Sequence, residues 1–525
     1  MAYDILIKSG TIIDGSGNMP LVTDLAINGD TIEEMGSLGG VNATTIIDAS
    51  GKYVTPGFID ITNHSDTRLT LFKYPLLESL VMQGITTIIG GNCGTSLAPL
   101  GTPAAVDAIK KWADLSEVSV DWATMDEFLS TVNKLHPGIN FGTLIGYGTL
   151  RRGVLGDEMR LLNLEEREKL KQHLLREGIK EGAFGLSLGL AYGHERLSTT
   201  EEIVDIARIV AQENGLIKIH LRSEGKEILA SVNEAIRIGR EAGVSVQISH
   251  LKAIGKKSWP FLPKTLELIE KARATGVDIN FDVSPYPTTG SPLYLLLPPW
   301  TRDGGFTKLF ERIKDPIIKR RIIEELKTHT LHYDKILITS ARTKTAVGHT
   351  LAELAEEGGT STEDTLLNIL LANDGRVGIV GRTVSQRNTE LEVRDKSSFI
   401  ASDGVGYKQE EYKSGNLIHP RSFGAFPHFW HRFVKELTVL SPEEAIQKIT
   451  YGPAKKMGIK QRGLIKSGNF ADIVVFDPKL LKDRASYRNP YRYPAGIEWV
   501  IINGEVAVEE GRFMDARAGR VLRKT

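Results

Sequence analysis

Between residues 58 and 402, eight short runs rich in β-branched and aliphatic residues alternate with segments of helical character. The runs fall at 58–63, 86–90, 140–145, 184–188, 217–221, 245–249, 278–283 and 398–402. Alternation of this kind calls for a parallel sheet covered by helices, and eight strands are what a TIM-type (β/α)8 barrel needs to close. The intervening helices have readable starts. Asn163-Leu164-Glu165-Glu166 carries a capping-box spacing ahead of Leu170, and Ser441-Pro442-Glu443-Glu444 offers an N-cap, a proline at N1 and a glutamate at N3. The gap between the seventh and eighth runs, about 288–396, is too long for a plain loop. It predicts an inserted helical subdomain over the barrel mouth.

The two chain ends read differently. Residues 3–13 alternate, and a strand, an Asn28-Gly29 turn and a second strand follow within 24–32. Near the other end, 471–476 is a strand, and the Asn503-Gly504 pair repeats the hairpin device between 499 and 508. Asn-Gly between alternating apolar residues is a strong hairpin signal, because both turn positions favour φ > 0. The expected division is 1–56 and 456–525 as the two parts of one small β-sandwich-like domain, with 57–455 as the α/β barrel.

Lys plus Arg and Asp plus Glu balance at 65 each, which gives no electrostatic reason to expect nucleic acid or an anionic membrane as partner. No apolar stretch approaches the roughly 20 residues of a membrane span, and the start of the chain lacks the basic and apolar regions of a signal peptide. A single cysteine among 525 residues excludes intrachain disulfides and suits a reducing, cytoplasmic setting.

That cysteine, Cys93, lies in the Gly-rich exit Gly90-Gly91-Asn92-Cys93-Gly94. Three other strand ends carry His220, His250 and Asp403. In a barrel of this type the chemistry sits at the carboxyl ends of the strands. One strand-end histidine is more often a packed core residue than a ligand. A thiolate, two imidazoles and a carboxylate converging on one rim form a ligand set suited to Zn2+. Cys93, His220 and His250 would hold one metal and leave room for water, and Asp403 would serve as general base and then acid. His64, after the first strand, could ligate a second, weaker metal. Lys252, Tyr286 and Arg421 lie at strand exits and turns, where they could clamp a carboxylate. Arg222 and Glu224 read as a structural ion pair behind His220.

With these residues in hand, the chain resembles the N-acyl-D-amino-acid deacylase (D-aminoacylase) branch of the amidohydrolase superfamily, nearly end to end. The motifs that carry the resemblance include Val54-Thr55-Pro56-Gly57-Phe58-Ile59-Asp60, Gly91-Asn92-Cys93-Gly94, His220-Leu221-Arg222-Ser223-Glu224, Ser249-His250-Leu251-Lys252, Ser402-Asp403-Gly404 and His419-Pro420-Arg421-Ser422. The resemblance implies zinc-dependent hydrolysis of N-acyl-D-amino acids to a carboxylate and a free D-amino acid. It implies that Cys93, His220 and His250 hold the tight metal, that Asp403 is catalytic, and that Lys252, Tyr286 and Arg421 meet the substrate carboxylate.

One position departs from the family pattern. His-x-His is expected at the end of the first strand, and the chain reads Thr62-Asn63-His64. A neutral hydroxyl is a poor zinc ligand, so the expectation is one tight zinc site. The alternatives are a hydrolase of cyclic amides or of dipeptides with a D-residue, and a catalytically silent scaffold of the same fold. The expected partner is a small N-acyl amino acid, and homo-oligomerisation is left open.

Overall fold

The computed structural model describes residues 2–100, 102, 106, 109, 118–156, 158–173, 178–328 and 332–525, the side chain of residue 173 excepted. Eight parallel strands form the barrel among them: Phe58–Asp60, Ile85–Gly90, Asn140–Thr143, Gly185–Gly189, Leu216–His220, Ser245–Ile248, Ile279–Val283 and Ser398–Ile400. Every expected run contributes one of them. The third strand breaks at Leu144 and resumes as Ile145–Gly146, which pairs with the fourth. The helices Leu164–His173 and Pro442–Ile449 start at the caps read from sequence. Asn163 and Glu166 exchange hydrogen bonds at 2.8 and 2.9 Å, and Ser441 and Glu444 form a full capping box.

Closure of the barrel rests on Asp60. This carboxylate is fully buried, and its Oδ1 accepts from the backbone N–H of Ser402 at 2.9 Å. Its Oδ2 accepts from Ser402 Oγ at 2.5 Å and from Asn63 Nδ2 at 2.9 Å. Just beyond, the backbone N–H of His64 donates to the Gly404 carbonyl at 2.9 Å. One side chain on the first strand thus ties down the exit of the eighth.

The chain ends build one nine-stranded sheet. Tyr3–Ile12, Leu21–Asn28, Thr31–Gly36, Ala43–Asp48 and Tyr53–Pro56 come from the start; Ile473–Phe476, Ile497–Ile502, Glu505–Glu509 and Arg512–Phe513 come from the end. The two sets join where Tyr53–Pro56 runs antiparallel to Ile473–Phe476. The period-two pattern splits the sheet's faces. Ile473, Val475 and Ile501 pack with Ile5, Leu25 and Val54 in the small domain's own core. Their neighbours Val474, Phe476, Val500 and Ile502 join the main core with the barrel residue Phe58.

Both hairpins form, with one difference in register. In the second, Ile502 faces Glu505, so Asn503 and Gly504 are the turn, at φ 47° and 82°. In the first, Asn28 faces Thr31, which makes the turn Gly29-Asp30 rather than Asn28-Gly29. The two turns touch. A Cβ on Gly504 would lie 1.9 Å from the Gly29 carbonyl oxygen, so only glycine permits that approach.

Between the seventh and eighth strands lies the insertion. It contains the helices Gly305–Lys314, Pro316–Thr328, Leu351–Glu357 and Thr362–Ala372, packed around Leu309, Ile313, Ile322, Leu326 and Leu366. It also contains a three-stranded antiparallel sheet of Thr289–Pro292, Gly378–Gly381 and Ile336–Ser340, which the sequence analysis did not assign. Runs this short cannot be told from pieces of buried helix by periodicity. Among the described residues no helix is long and apolar enough to cross a membrane.

Replacing Asp60 with alanine strands three buried donors on Ser402 and Asn63. The variant should lose about 1–3 kcal/mol of stability, the cost of a buried polar group without a partner. Urea unfolding followed by circular dichroism reads this as a lower midpoint; an unchanged midpoint contradicts the role given to Asp60.

Candidate metal centre and active site

The second strand delivers Cys93 through a tight exit. Gly91 turns at φ 68°, and a Cβ there would lie 2.0 Å from the carbonyl oxygen of Leu144. The Asn92 side chain then donates to the Ile89 carbonyl at 2.7 Å and the Asn63 carbonyl at 3.0 Å, which locks the turn across two strands. His220 closes the fifth strand, and His250 follows the sixth. Their rings meet edge to face at a centroid distance of 4.6 Å. One ligand atom from each of Cys93, His220 and His250 lies within 4.8 Å of the others, and all three residues are buried.

Three residues of this rim pay a backbone cost. Cys93, His250 and Asp403 adopt φ of 54°, 36° and 51°, the left-handed region that side-chain-bearing residues rarely enter. Strain of this kind clusters at functional sites and persists only where the surroundings enforce it. Here the enforcement is visible. The backbone N–H of His250 donates to Asp282 Oδ1 at 2.9 Å, and Asp403 is gripped from both sides.

The electrostatics suit a cation. Burial by itself would raise the Cys93 thiol, but His250, His220 and His64 pull it well below its ordinary value, which favours the thiolate, the form of cysteine that can ligate a metal. Sγ lies 3.3 Å from His250 Nε2. The other ring nitrogen, Nδ1, faces Glu224 Oε1 at 3.1 Å, the carboxylate–imidazole arrangement that orients metal-binding histidines. Despite burial, Lys252, His220 and His250 hold Glu224 well below the usual carboxylate range. The Nδ1 of His220 is buried without a partner among the described residues. Soft thiolate, two imidazoles and one orphaned ring nitrogen fit a zinc ion.

Asp403 stands beside this group. Its Oδ1 lies 3.1 Å from His64 Nε2, and its Oδ2 accepts from Arg421 Nη1 at 2.6 Å. Burial opposes its charge, but Arg421, His250 and His64 hold it ionised, well below the ordinary aspartate value. His64, outside the three-residue ligand cluster, is pushed up to about 9; burial lowers it, and Asp403 and Cys93 more than reverse that.

Thr62 takes no part in the rim. Its hydroxyl donates to Asp282 Oδ1 at 2.7 Å and accepts from Lys218 Nζ at 2.5 Å. Lys218 is fully buried, also donates to the Ile61 carbonyl, and lies 3.5 Å from Asp282. A lysine inside the apolar strand Leu216–His220 was a legible signal that the sequence analysis passed over.

Lys252, Tyr286 and Arg421 line the same cavity of about 2140 Å3 as the candidate metal ligands Cys93, His220 and His250. The two cations already have acid partners, Glu224 at 2.6 Å for Lys252 and Asp403 for Arg421. Tyr286 stacks on His428 at 4.2 Å and points its hydroxyl toward Asp483 at 3.5 Å. Burial and Asp483 keep it a phenol, well above its usual pKa. The expected Arg222–Glu224 pair does not form. Arg222 binds Glu234 at 2.8 Å and the Arg196 carbonyl at 2.6 Å, which leaves Glu224 to His250 and Lys252. Residues two apart on this exit diverge, so their adjacency in sequence misled.

Known proteins show the same arrangement of chain. A model of the amidohydrolase family matches residues 415–508. D-aminoacylase of Alcaligenes xylosoxydans xylosoxydans is 31% identical over 533 residues, covering 100% of this chain and 98% of that protein. N-acyl-D-glutamate deacylase of the same organism is 30% identical over 522 residues, covering 99% and 96%. The crystal structure of N-acyl-D-glutamate deacylase from Bordetella bronchiseptica, complexed with zinc and a phosphonate mimic of the tetrahedral intermediate, superposes with a TM-score of 0.83 at 28% identity, covering 100% of both chains. With full-length identity at this level and a common fold, the chain belongs to the D-aminoacylase family of amidohydrolases.

Proposed function

We propose that this chain hydrolyses the amide bond of N-acyl-D-amino acids, releasing a carboxylate and a free D-amino acid, with one zinc ion held by Cys93, His220 and His250. The observation that carries the reading is the buried thiolate–imidazole–imidazole cluster with Asp403 fixed beside it. The deacylases of the D series among its relatives support the handedness.

Zinc at this cluster would supply Lewis-acid polarisation and lower the pKa of water toward neutrality. The chain's own groups do the rest. Asp403 takes the proton of the attacking water and passes it to the leaving nitrogen, so the amine departs neutral. Arg421 and His64 fix the two oxygens of that carboxylate in place. Glu224 holds the His250 ring through Nδ1. Lys252, Tyr286 and Arg421 take the substrate's α-carboxylate. Arg421 commits Nη1 to Asp403 and keeps further N–H donors for a substrate.

A single metal suits the residues around Thr62. The position where the family has its first histidine carries a hydroxyl that is already bonded to Lys218 and Asp282, and the Lys218 ammonium supplies the positive charge there. The lone cysteine, kept as a ligand, supports a reducing, cytoplasmic setting.

Chiral chromatography of racemic N-acetyl amino acids after incubation with zinc-loaded protein tests the reaction. Release of the D-amino acid alone is the expected result; release of the L form, or of neither, contradicts the reading. For Asp403→Asn, kcat should fall by about 10²–10⁴-fold, the range for a lost general acid–base, while bound zinc stays at the wild-type level. A loss under tenfold contradicts the role of Asp403.

A further inference from the structure

The segment between the strands Ile473–Phe476 and Ile497–Ile502 does more than join them. Its side chains reach the barrel at Tyr286, Thr288 and His428. Asp483 is the charged group among them. Its Oδ2 lies 3.1 Å from His428 Nδ1 and 3.5 Å from the Tyr286 hydroxyl.

The contact with His428 is the firm one. At 3.5 Å the phenol stands at the outer limit of a hydrogen bond, so its proton is not tied to Asp483. Ring packing holds Tyr286 instead. His428 stacks on it with centroids 4.2 Å apart and planes 11° apart, and His419 meets it edge to face at 5.2 Å. His428 serves as a platform only while its own ring is fixed, and Asp483 fixes it. The helix Arg421–Phe429 that carries His428 makes room for this. A Cβ on its Gly424 would lie 2.7 Å from Asp483 Cβ and 3.3 Å from the Tyr286 hydroxyl, so a side chain there would push both residues away.

Tyr286 lines the cavity, whereas Asp483 and His428 stand behind it. The phenol is within electrostatic range of Arg421, and Asp483 helps to keep it protonated. A phenol beside a guanidinium, with its proton not locked in a short bond, is a donor that a carboxylate can use. The same segment also braces Arg421. The Tyr487 hydroxyl lies 2.7 Å from Thr288 Oγ1, which lies 2.8 Å from His419 Nε2, and His419 Nδ1 accepts from the Arg421 backbone N–H at 3.0 Å.

We propose that Asp483 is a positioning residue of the deacylation site: acting through His428, it holds the Tyr286 phenol where the substrate's α-carboxylate binds beside Arg421. This rests on the deacylase reading and gives the small domain a part in substrate binding. The plain alternative is a contact that only ties the segment to the barrel. It predicts a change in stability with no coupling to Tyr286.

The test is a double-mutant cycle on the zinc-loaded full chain, with kcat and KM measured on the N-acetyl-D-amino acid that the wild type hydrolyses fastest. Tyr286→Phe should raise KM by about 10–100-fold, the worth of a hydrogen bond to a charged group, and act mostly through KM rather than kcat. Asp483→Ala should reproduce most of that rise. Asp483→Asn, which keeps an oxygen for His428, should recover part of it. Tyr286→Phe combined with Asp483→Ala should show the KM of Tyr286→Phe alone, because both changes remove one contact. Effects that multiply in the combination overturn the proposal, as does a wild-type KM in either single variant. Should Asp483→Ala fail to fold, the same cycle with His428→Ala decides on the same terms. Multiplying effects in an active enzyme refute only the Asp483 assignment. A wild type that hydrolyses no N-acetyl-D-amino acid refutes the deacylase reading, and this inference with it.

Discussion

The carboxylate of Asp282 holds four barrel strands in one place, and the candidate active site stands on it. Its Oδ1 accepts from the backbone N–H of His250 and from the hydroxyl of Thr62, and its Oδ2 accepts from Gln247 Nε2 at 3.0 Å. Lys218 balances its charge from 3.5 Å. Both charged groups are fully buried, where an unpaired ion would cost several kcal/mol. The pair survives because each polar atom has a use. Together with Asp60 and Ser402 it forms a polar layer inside the barrel, directly before the residues that reach the cavity. That layer lets His250 keep a left-handed backbone conformation while its Nε2 lies 3.3 Å from Cys93 Sγ.

Two further constraints surround this layer. The nine-stranded sheet of the chain ends covers one side of the barrel with Val474, Phe476 and Ile502, and Phe476 packs on Phe58 at 6.4 Å. The first barrel strand, which carries Asp60 and leads to His64, is therefore backed by the C-terminal strand that pairs with Tyr53–Pro56. The insertion brings a core of its own and places Tyr294 and Arg302 on the cavity wall. The proposed metal ligands and the proposed general base thus lie at barrel strand ends, while the inserted unit contributes other groups to the cavity wall. This division suits a fold in which strand ends hold the reacting centre and the segments between them vary.

The strand-end residues that the structure brings together in the candidate site were legible in the sequence because strand ends announce themselves. An apolar run that stops on His220 or Asp403 states both the element and the direction of its last side chain. Cys93 stood out as the sole cysteine inside a glycine-rich exit. What the sequence did not disclose were pairings across long separations. His64 and Asp403 are 339 residues apart, and Thr62 and Asp282 are 220 apart; no local pattern links them. The Arg222–Glu224 expectation failed for the complementary reason, since neighbours in sequence on a strand exit find partners on other elements. Nor could the first hairpin be placed to the residue. Asn28-Gly29 and Gly29-Asp30 are both acceptable turn pairs, and cross-strand packing of Ile27 against Ile32 decides between them.

The central claim is that one metal ion is held by one sulfur and two imidazoles, on the layer built around Asp282. X-ray absorption at the zinc edge, combined with elemental analysis of the purified full chain, addresses it directly. The account predicts about one zinc per chain, with one sulfur ligand near 2.3 Å and two imidazole nitrogens near 2.0 Å. A zinc shell of nitrogen and oxygen alone, or two zinc ions per chain, would contradict it.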